Sequence, residues 1–184
     1  MFETDRLHLR AVREADFEKL RAFDNDPRAQ KMRTLDPVVP IGDKNFNEML
    51  RARLSSVLLF VIIETKDSHE FVGTTQLFDL QQKNRDVMLG LGIVPEFWGR
   101  GYGTEVVRFI VDYAFEQLGL HRVTLNVFRN NPAAIRVYQK AGFVQEGIQR
   151  KVNWMDGKWE DLVWMAVLDE DWEASRKDGL KIAS

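Results

Sequence analysis

The 184-residue chain predicts a single α/β (α+β) domain: a mixed, mostly antiparallel central sheet with helices on both faces. Three observations predict it. Val87–Val94 is a strand-like apolar run joined through a glycine-dense turn to a long helical pattern, and strand-like Arg122–Phe128 follows. That order is a parallel right-handed crossover. Val57–Glu64 (V-L-L-F-V-I-I-E) is apolar on both faces, as a covered central strand is. Two pairs of strand-like runs are separated by tight-turn residues, at Lys66–His69 and at Asp156-Gly157, which reads as antiparallel hairpins.

The elements follow in order. Arg6–Ala11 alternates Leu7, Leu9 and Ala11 against Arg6, His8 and Arg10, a half-buried strand. Glu14–Phe23 has acids near its start and Phe17, Leu20 and Phe23 as an inward stripe, so it reads as a helix that Asn25-Asp26-Pro27 ends. Ala29–Gly42 holds Pro37 and Pro40 without clean periodicity and reads as a loop with room for a short helix. Asp43–Leu54 is a second helix with Phe46, Met49, Leu50 and Leu54 inward. Phe71–Leu80 is the hairpin partner of the central strand, with Gly73 marking a bulge. Gln81–Asp86 is a polar turn into Val87–Val94. Glu105–Leu118 sets Val106, Val107, Ile110, Val111, Tyr113, Ala114 and Leu118 against Glu105, Arg108, Asp112 and Glu116, and Gly119 stops it. Asn131 caps a further helix, Pro132 takes its first position and Gly142 ends it. Gln145–Met155 and Lys158–Leu168 are the last hairpin. Asp169–Ser184 starts amphipathic and ends polar, so the expected domain is 1–172 and the tail 173–184.

Composition bounds the function. Twenty-six Lys and Arg against 28 Asp and Glu leave a net charge of −2, which speaks against a nucleic-acid binder. With no cysteine there is no disulfide, thiolate metal site or thiol nucleophile, and the three histidines lack the spacing of a metal pair, so no metal site is expected. The longest apolar run is too short to span a membrane, and the charged start has no signal-peptide core. A soluble cytoplasmic enzyme is the expectation.

The chemistry centres on Pro95–Thr104, P-E-F-W-G-R-G-Y-G-T. A helix start leaves backbone N–H groups without partners and adds partial positive charge. Gly99, Gly101 and Gly103 let the backbone approach a phosphate closely. A diphosphate is the ligand this favours. The spacing is not the Gly-x-Gly-x-x-Gly of dinucleotide folds, and no Gly-Lys-Ser/Thr supports a triphosphate loop.

P-E-F-W-G-R-G-Y-G-T-E resembles the acetyl-CoA-binding motif of the GNAT superfamily of N-acetyltransferases. It is nearest the subgroup of ribosomal-protein N-terminal and spermidine acetyltransferases. A second segment, N-P-A-A-I-R-V-Y-Q-K-A-G-F over Asn131–Phe143, is similar to the family's N-x-x-A-x-x-x-Y-x-x-x-G-F. The resemblance runs from about Phe2 to Trp172, with its specific part at Leu89–Phe143.

The resemblance implies acetyl transfer from acetyl-CoA to a primary amine by direct attack in a ternary complex. It implies that Gly99, Arg100, Gly101, Tyr102, Gly103 and Thr104 hold the pyrophosphate and that Leu91, Gly92 and Ile93 pair with the pantetheine arm. It makes Asn131 a cofactor contact as well as a cap. It makes Tyr138 the acid that protonates the leaving thiolate, although its spacing with Ala134, Val137 and Ala141 also fits a core tyrosine. The family's carboxylate on the strand before the loop is replaced by Met88, which leaves Glu64, Asp79, Glu160 and Asp161 as candidate bases, each also readable as a solvated acid. Trp98 stands where the wider superfamily prefers Arg or Gln. Glu105 reads as a structural acid at the helix dipole. Trp154, Trp159 and Trp164 fit sheet packing or an acceptor pocket. The acceptor is a small-molecule amine, or alternatively a peptide N-terminus. A non-catalytic CoA-binding regulator is the third reading. A homodimer is an option, with the C-terminal hairpin as its contact.

Overall fold

The computed structural model describes residues 2–182. The strands are β1 (Phe2–Glu3), β2 (Leu7–Arg10), β3 (Leu59–Thr65), β4 (Phe71–Gln81), β5 (Asp86–Ile93), β6 (Arg122–Phe128), β7 (Val144–Met155) and β8 (Lys158–Leu168). The helices are α1 (Phe17–Asp24), α2 (Pro27–Gln30), α3 (Asp43–Ser56), α4 (Tyr102–Glu116), α5 (Pro132–Lys140) and α6 (Asp169–Ile182). The strands form one sheet in the order β1-β2-β3-β4-β5-β6-β8-β7. β5 and β6 run parallel, as the crossover requires, and β1-β2, β2-β3, β3-β4, β6-β8 and β8-β7 run antiparallel. The mixed, mostly antiparallel sheet is the expected one.

The chain divides into two compact units, one of Met1–Asp79 with Leu89–Val106, the other of Leu80–Met88 with Val107–Ser184. In the first, the side chains of Leu20, Phe46, Leu50 and Ile62 form a buried cluster, with Val12, Phe17, Leu54 and Phe71 packed on it. The second has a cluster of Phe128, Met155 and Leu162, against which Val152 and Trp164 pack.

Several expectations are corrected. Met49 is half-exposed, because Phe46 and Leu50, one turn apart, already fill the buried face of α3. The short helix α2 starts at Pro27, two residues before the Ala29–Gly42 segment, and overlaps only its first two residues. Asp26 accepts a hydrogen bond from the Arg28 amide and Pro27 takes the first position, so the residues that end α1 also start α2. Arg10, expected on the polar face of its strand, is buried. α6 runs through the expected 172/173 boundary. The end of the expected polar tail, residues 183–184, lies outside the described residues.

Two devices shape the sheet. Ile63 pairs with Gly73 and Glu64 with Phe71, so β4 carries an extra residue there. A Cβ on Gly73 would fall 2.0 Å from the Gly92 carbonyl oxygen, which is why glycine sits at this bulge. At the β7–β8 tip, Asp156 (φ 50°) and Gly157 (φ 81°) are both left-handed, the signature of a two-residue hairpin turn.

Candidate active site

The glycine-dense turn is built entirely within the first unit. After β5, Pro95–Phe97 makes one 3-10 turn. Trp98 then donates its indole N–H to the Ile93 carbonyl at 2.7 Å, which gives the residue at the family's variable position a structural role. Gly99 (φ 75°) and Gly101 (φ 84°) take left-handed backbone that a side chain would strain. α4 begins at Tyr102, three residues earlier than its apolar periodicity predicts. Gly103 and Thr104 therefore lie in the first helical turn rather than in the loop. Glu105 N bonds to Gly101 O at 3.2 Å, so the amides of Tyr102, Gly103 and Thr104 precede the first intrahelical bond and are available to an anion.

This turn is tied to the chain's beginning by groups 99 residues apart. Glu105 accepts from the Arg6 amide at 2.8 Å, from Arg6 Nε at 2.7 Å and from Thr4 Oγ1 at 2.6 Å. Burial opposes ionisation of Glu105, but these three bonds outweigh it and hold its pKa below the usual carboxylate range. Arg6 also donates to the Arg100 carbonyl at 3.0 Å, and its guanidinium lies 4.6 Å over the Tyr102 ring. A Cβ on Gly101 would meet Arg6 Nη2 at 3.3 Å. Arg6 thus holds a half-exposed positive charge beside the turn. Arg100 itself lies over Phe97, 4.9 Å from its ring centre. Sequence reasoning gave Arg6 only a strand position. Nothing local signals a partner so distant in sequence.

The ladder between β5 and β6 consists of Asp86↔Arg122, Val87↔Val123 and Met88↔Thr124. Leu91, Gly92 and Ile93 lie beyond it on the same strand. Gly92 cannot carry a side chain without displacement: a Cβ would meet Arg33 Nε at 2.9 Å and the Phe23 ring at 3.0 Å.

The second unit carries Asn131 and Tyr138 on α5. Asn131 Oδ1 accepts from the Ala134 amide at 3.1 Å, the expected cap. Tyr138 is 7% exposed, and its ring lies 5.8 Å from that of Phe143. Burial pushes the phenol up to about 12, so it stays protonated at physiological pH.

The four candidate bases separate. Glu64 is buried, not solvated, and is held by Arg10 at 2.9 and 2.5 Å. Those hydrogen bonds keep its pKa low, so it is part of the architecture. Asp161 accepts from the Lys151 amide at 3.0 Å and from Arg129 at 2.9 Å, which lower its pKa in that order. It pins the bulge of β7, where Gln149 pairs with Leu162 and Asn153 with Glu160. Glu160 is also buried, with Lys158 Nζ at 2.8 Å. Asp79 is exposed with φ 53°. Among the tryptophans, Trp164 packs on the second unit's core. Trp154 and Trp159 are exposed and meet edge to face at 5.3 Å, so packing on each other is the role the geometry shows. Among the described residues, no helix is long and apolar enough to cross a membrane.

Comparison with known proteins agrees with this geometry. Residues 6–144 match the acetyltransferase (GNAT) domain. The chain is 32% identical over 169 residues to the uncharacterized N-acetyltransferase YoaA of Bacillus subtilis, covering 85% of this chain and 90% of that one. It is 35% identical over 104 residues to the putative ribosomal N-acetyltransferase YdaF of the same organism, covering 56% and 57% of the two chains. Its fold is similar to that of spermidine N-acetyltransferase from Vibrio cholerae, solved with CoA and spermine, at a TM-score of 0.82, 22% identity and coverage of 90% and 97%. The chain therefore belongs to the GNAT acetyltransferases and is an acetyl-CoA-dependent N-acetyltransferase.

Proposed function

We propose that the chain acetylates the primary amine of a small molecule by direct attack within a ternary complex. Acetyl-CoA supplies the activated acetyl thioester. The residues of the turn fit its pyrophosphate: left-handed glycines at 99 and 101, the first-turn amides of Tyr102, Gly103 and Thr104, and the Arg6 charge beside them. Leu91, Gly92 and Ile93 offer strand backbone to the pantetheine arm. Asn131 keeps its side-chain N–H₂ for the cofactor while its oxygen caps α5.

The observation that carries the mechanism is Tyr138, a buried phenol held protonated. As the amine nitrogen bonds to the acetyl carbon, the carbon–sulfur bond breaks and the nitrogen loses one proton. Tyr138 donates to the departing sulfur. A reference thiol pKa of about 8.5 lies below that of this phenol, so Tyr138 acts as a hydrogen-bonding acid while the sulfur is still leaving, and the proton lost from nitrogen balances the thiol formed.

The acceptor is a small molecule with a primary amine, a class that takes in monoamines and polyamines alike. Asp24 is paired with Arg33 at 2.8 Å and with Arg53 at 3.7 Å, and Asp26 with Arg28 at 2.6 Å. Two of the carboxylates a polyamine could use are thus each shared with an arginine.

The test is acceptor-dependent release of free CoA with monoamines, amino-acid amides, polyamines and peptides with free N-termini. Release with monoamines is expected. Release confined to peptides would overturn the acceptor class, and release confined to polyamines would narrow it. Tyr138→Phe should lower kcat by roughly 10²-fold with acetyl-CoA affinity within about twofold; unchanged kcat would remove Tyr138 from the mechanism.

A further inference from the structure

Among the described residues, three buried side-chain atoms have no hydrogen-bond partner: His8 Nδ1, Glu160 Oε1 and Gln76 Oε1. The first two each face a charge, Glu3 at 3.5 Å from His8 and Lys158 at 2.8 Å from Glu160. That leaves the neutral amide of Gln76. A buried amide oxygen without a donor is costly, and a bound molecule is one source of the missing donor.

Its position says which ligand. Gln76 is on β4, and its side chain lies over Gly90 of β5. A Cβ on Gly90 would meet Gln76 Cγ and Nε2 at 3.1 Å and Phe78 at 3.3 Å. Glycine at 90 is what lets this amide lie against the strand. Gly90 immediately precedes Leu91–Ile93, the backbone assigned above to the pantetheine arm. Strand alternation puts Gly90 and Gly92 on one face of β5, so Gln76 lies on the face that Phe23 and Arg33 also approach.

We propose that the Gln76 side-chain carbonyl accepts a hydrogen bond from an N–H of the acceptor amine and thereby helps to bind it beside the pantetheine arm. A primary amine that has become nucleophilic keeps two N–H groups, so it supplies the missing donor. Gln76 is neutral and removes no proton; it binds the amine. This rests on the acetyltransferase mechanism proposed above.

The test is steady-state kinetics of Gln76→Met and Gly90→Ala with the best monoamine found, alongside thermal melting and acetyl-CoA titration. Gln76→Met should raise the amine KM about tenfold, the scale of one hydrogen bond, with acetyl-CoA affinity and kcat within about twofold. Its melting temperature should not fall, since an unpartnered polar group is removed. Gly90→Ala crowds the amide from the other side and should raise the amine KM in the same way. The double variant should add little to either. If both folded single variants keep the wild-type amine KM, the assignment of Gln76 is overturned while the transferase mechanism stands. If wild-type protein releases no CoA with any acceptor, the mechanism and this assignment fall together.

Discussion

Arg10 and Gln76 are both polar side chains drawn inside the same unit, and their surroundings differ. Arg10 forks onto two carboxylates, Glu64 at 2.5 and 2.9 Å and Asp16 at 2.7 and 2.8 Å, and also donates to the Ala11 carbonyl at 3.0 Å. Asp16 Oδ2 takes the Arg13 amide as well, at 2.7 Å. Every donor of the fork has an acceptor. Gln76 Oε1 has no donor among the described residues. A charge cluster that closes on itself joins β2, β3 and the start of α1 and leaves nothing over for a ligand. The open amide is the one proposed above to meet the acceptor. Burial of a polar residue is therefore uninformative until its partners are counted.

The largest expected effect breaks the closed side of this contrast. Arg10→Met leaves Asp16 and Glu64 buried and unpaired, which should cost about 3–5 kcal/mol by denaturant unfolding at neutral pH. A loss below about 1 kcal/mol would mean that the cluster is not structural. The penalty should also depend on pH. Hydrogen bonds from Arg10 hold both carboxylates below their usual range. Their stabilisation is thus present above the unfolded values of about 4 and is lost as pH falls through the folded ones. The gap between wild type and Arg10→Met should narrow below about pH 4.

Tyr138 extends the comparison to the second unit, as a buried group raised by desolvation alone. Its folded pKa, about 12, lies above the unfolded phenol value of about 10. The neutral phenol's contribution is complete below about pH 10 and is lost as pH rises through about 12, by about 3 kcal/mol. Tyr138→Phe should flatten that alkaline limb in equilibrium unfolding. A limb unchanged by the substitution would show that the phenol is not desolvated.

The smallest effect sharpens the contrast within one residue. Asn131 has a satisfied oxygen and an amide nitrogen assigned to the cofactor. Asn131→Ala should cost about 1 kcal/mol of stability. Asn131→Asp should keep the cap yet weaken acetyl-CoA binding in a direct titration. If Asp binds acetyl-CoA as tightly as Asn does, the residue is a cap and nothing more.

Most of the secondary structure was legible because its signals are local. Asp156-Gly157 specifies a left-handed turn, Val57–Glu64 reads as a covered strand, and Asn131-Pro132 starts a helix within two residues. The glycine turn was legible for the same reason, since a backbone anion site needs only absent side chains and a helix start. The start of α4 was missed because Tyr102–Thr104 carry no apolar periodicity. They are helical by backbone bonding, while their side chains lie outside the buried stripe. Arg10 was misread because alternation reports only which face a residue takes, and this face is covered by its own ion partners.

The amino-acid order by itself determined the elements, the hairpin turn and the glycine turn, which depend on residues within one or two turns of each other, while Tyr138 became a candidate acid only through the resemblance of Asn131–Phe143 to a family segment. Tertiary structure alone decided which polar groups are closed and which are open. Arg6 meets Glu105, Arg10 meets Glu64 and Gln76 lies over Gly90 only once distant strands and helices are brought together. A hydrogen bond is a matter of a few tenths of an ångström, and no local pattern encodes a distance between residues so far apart in the chain.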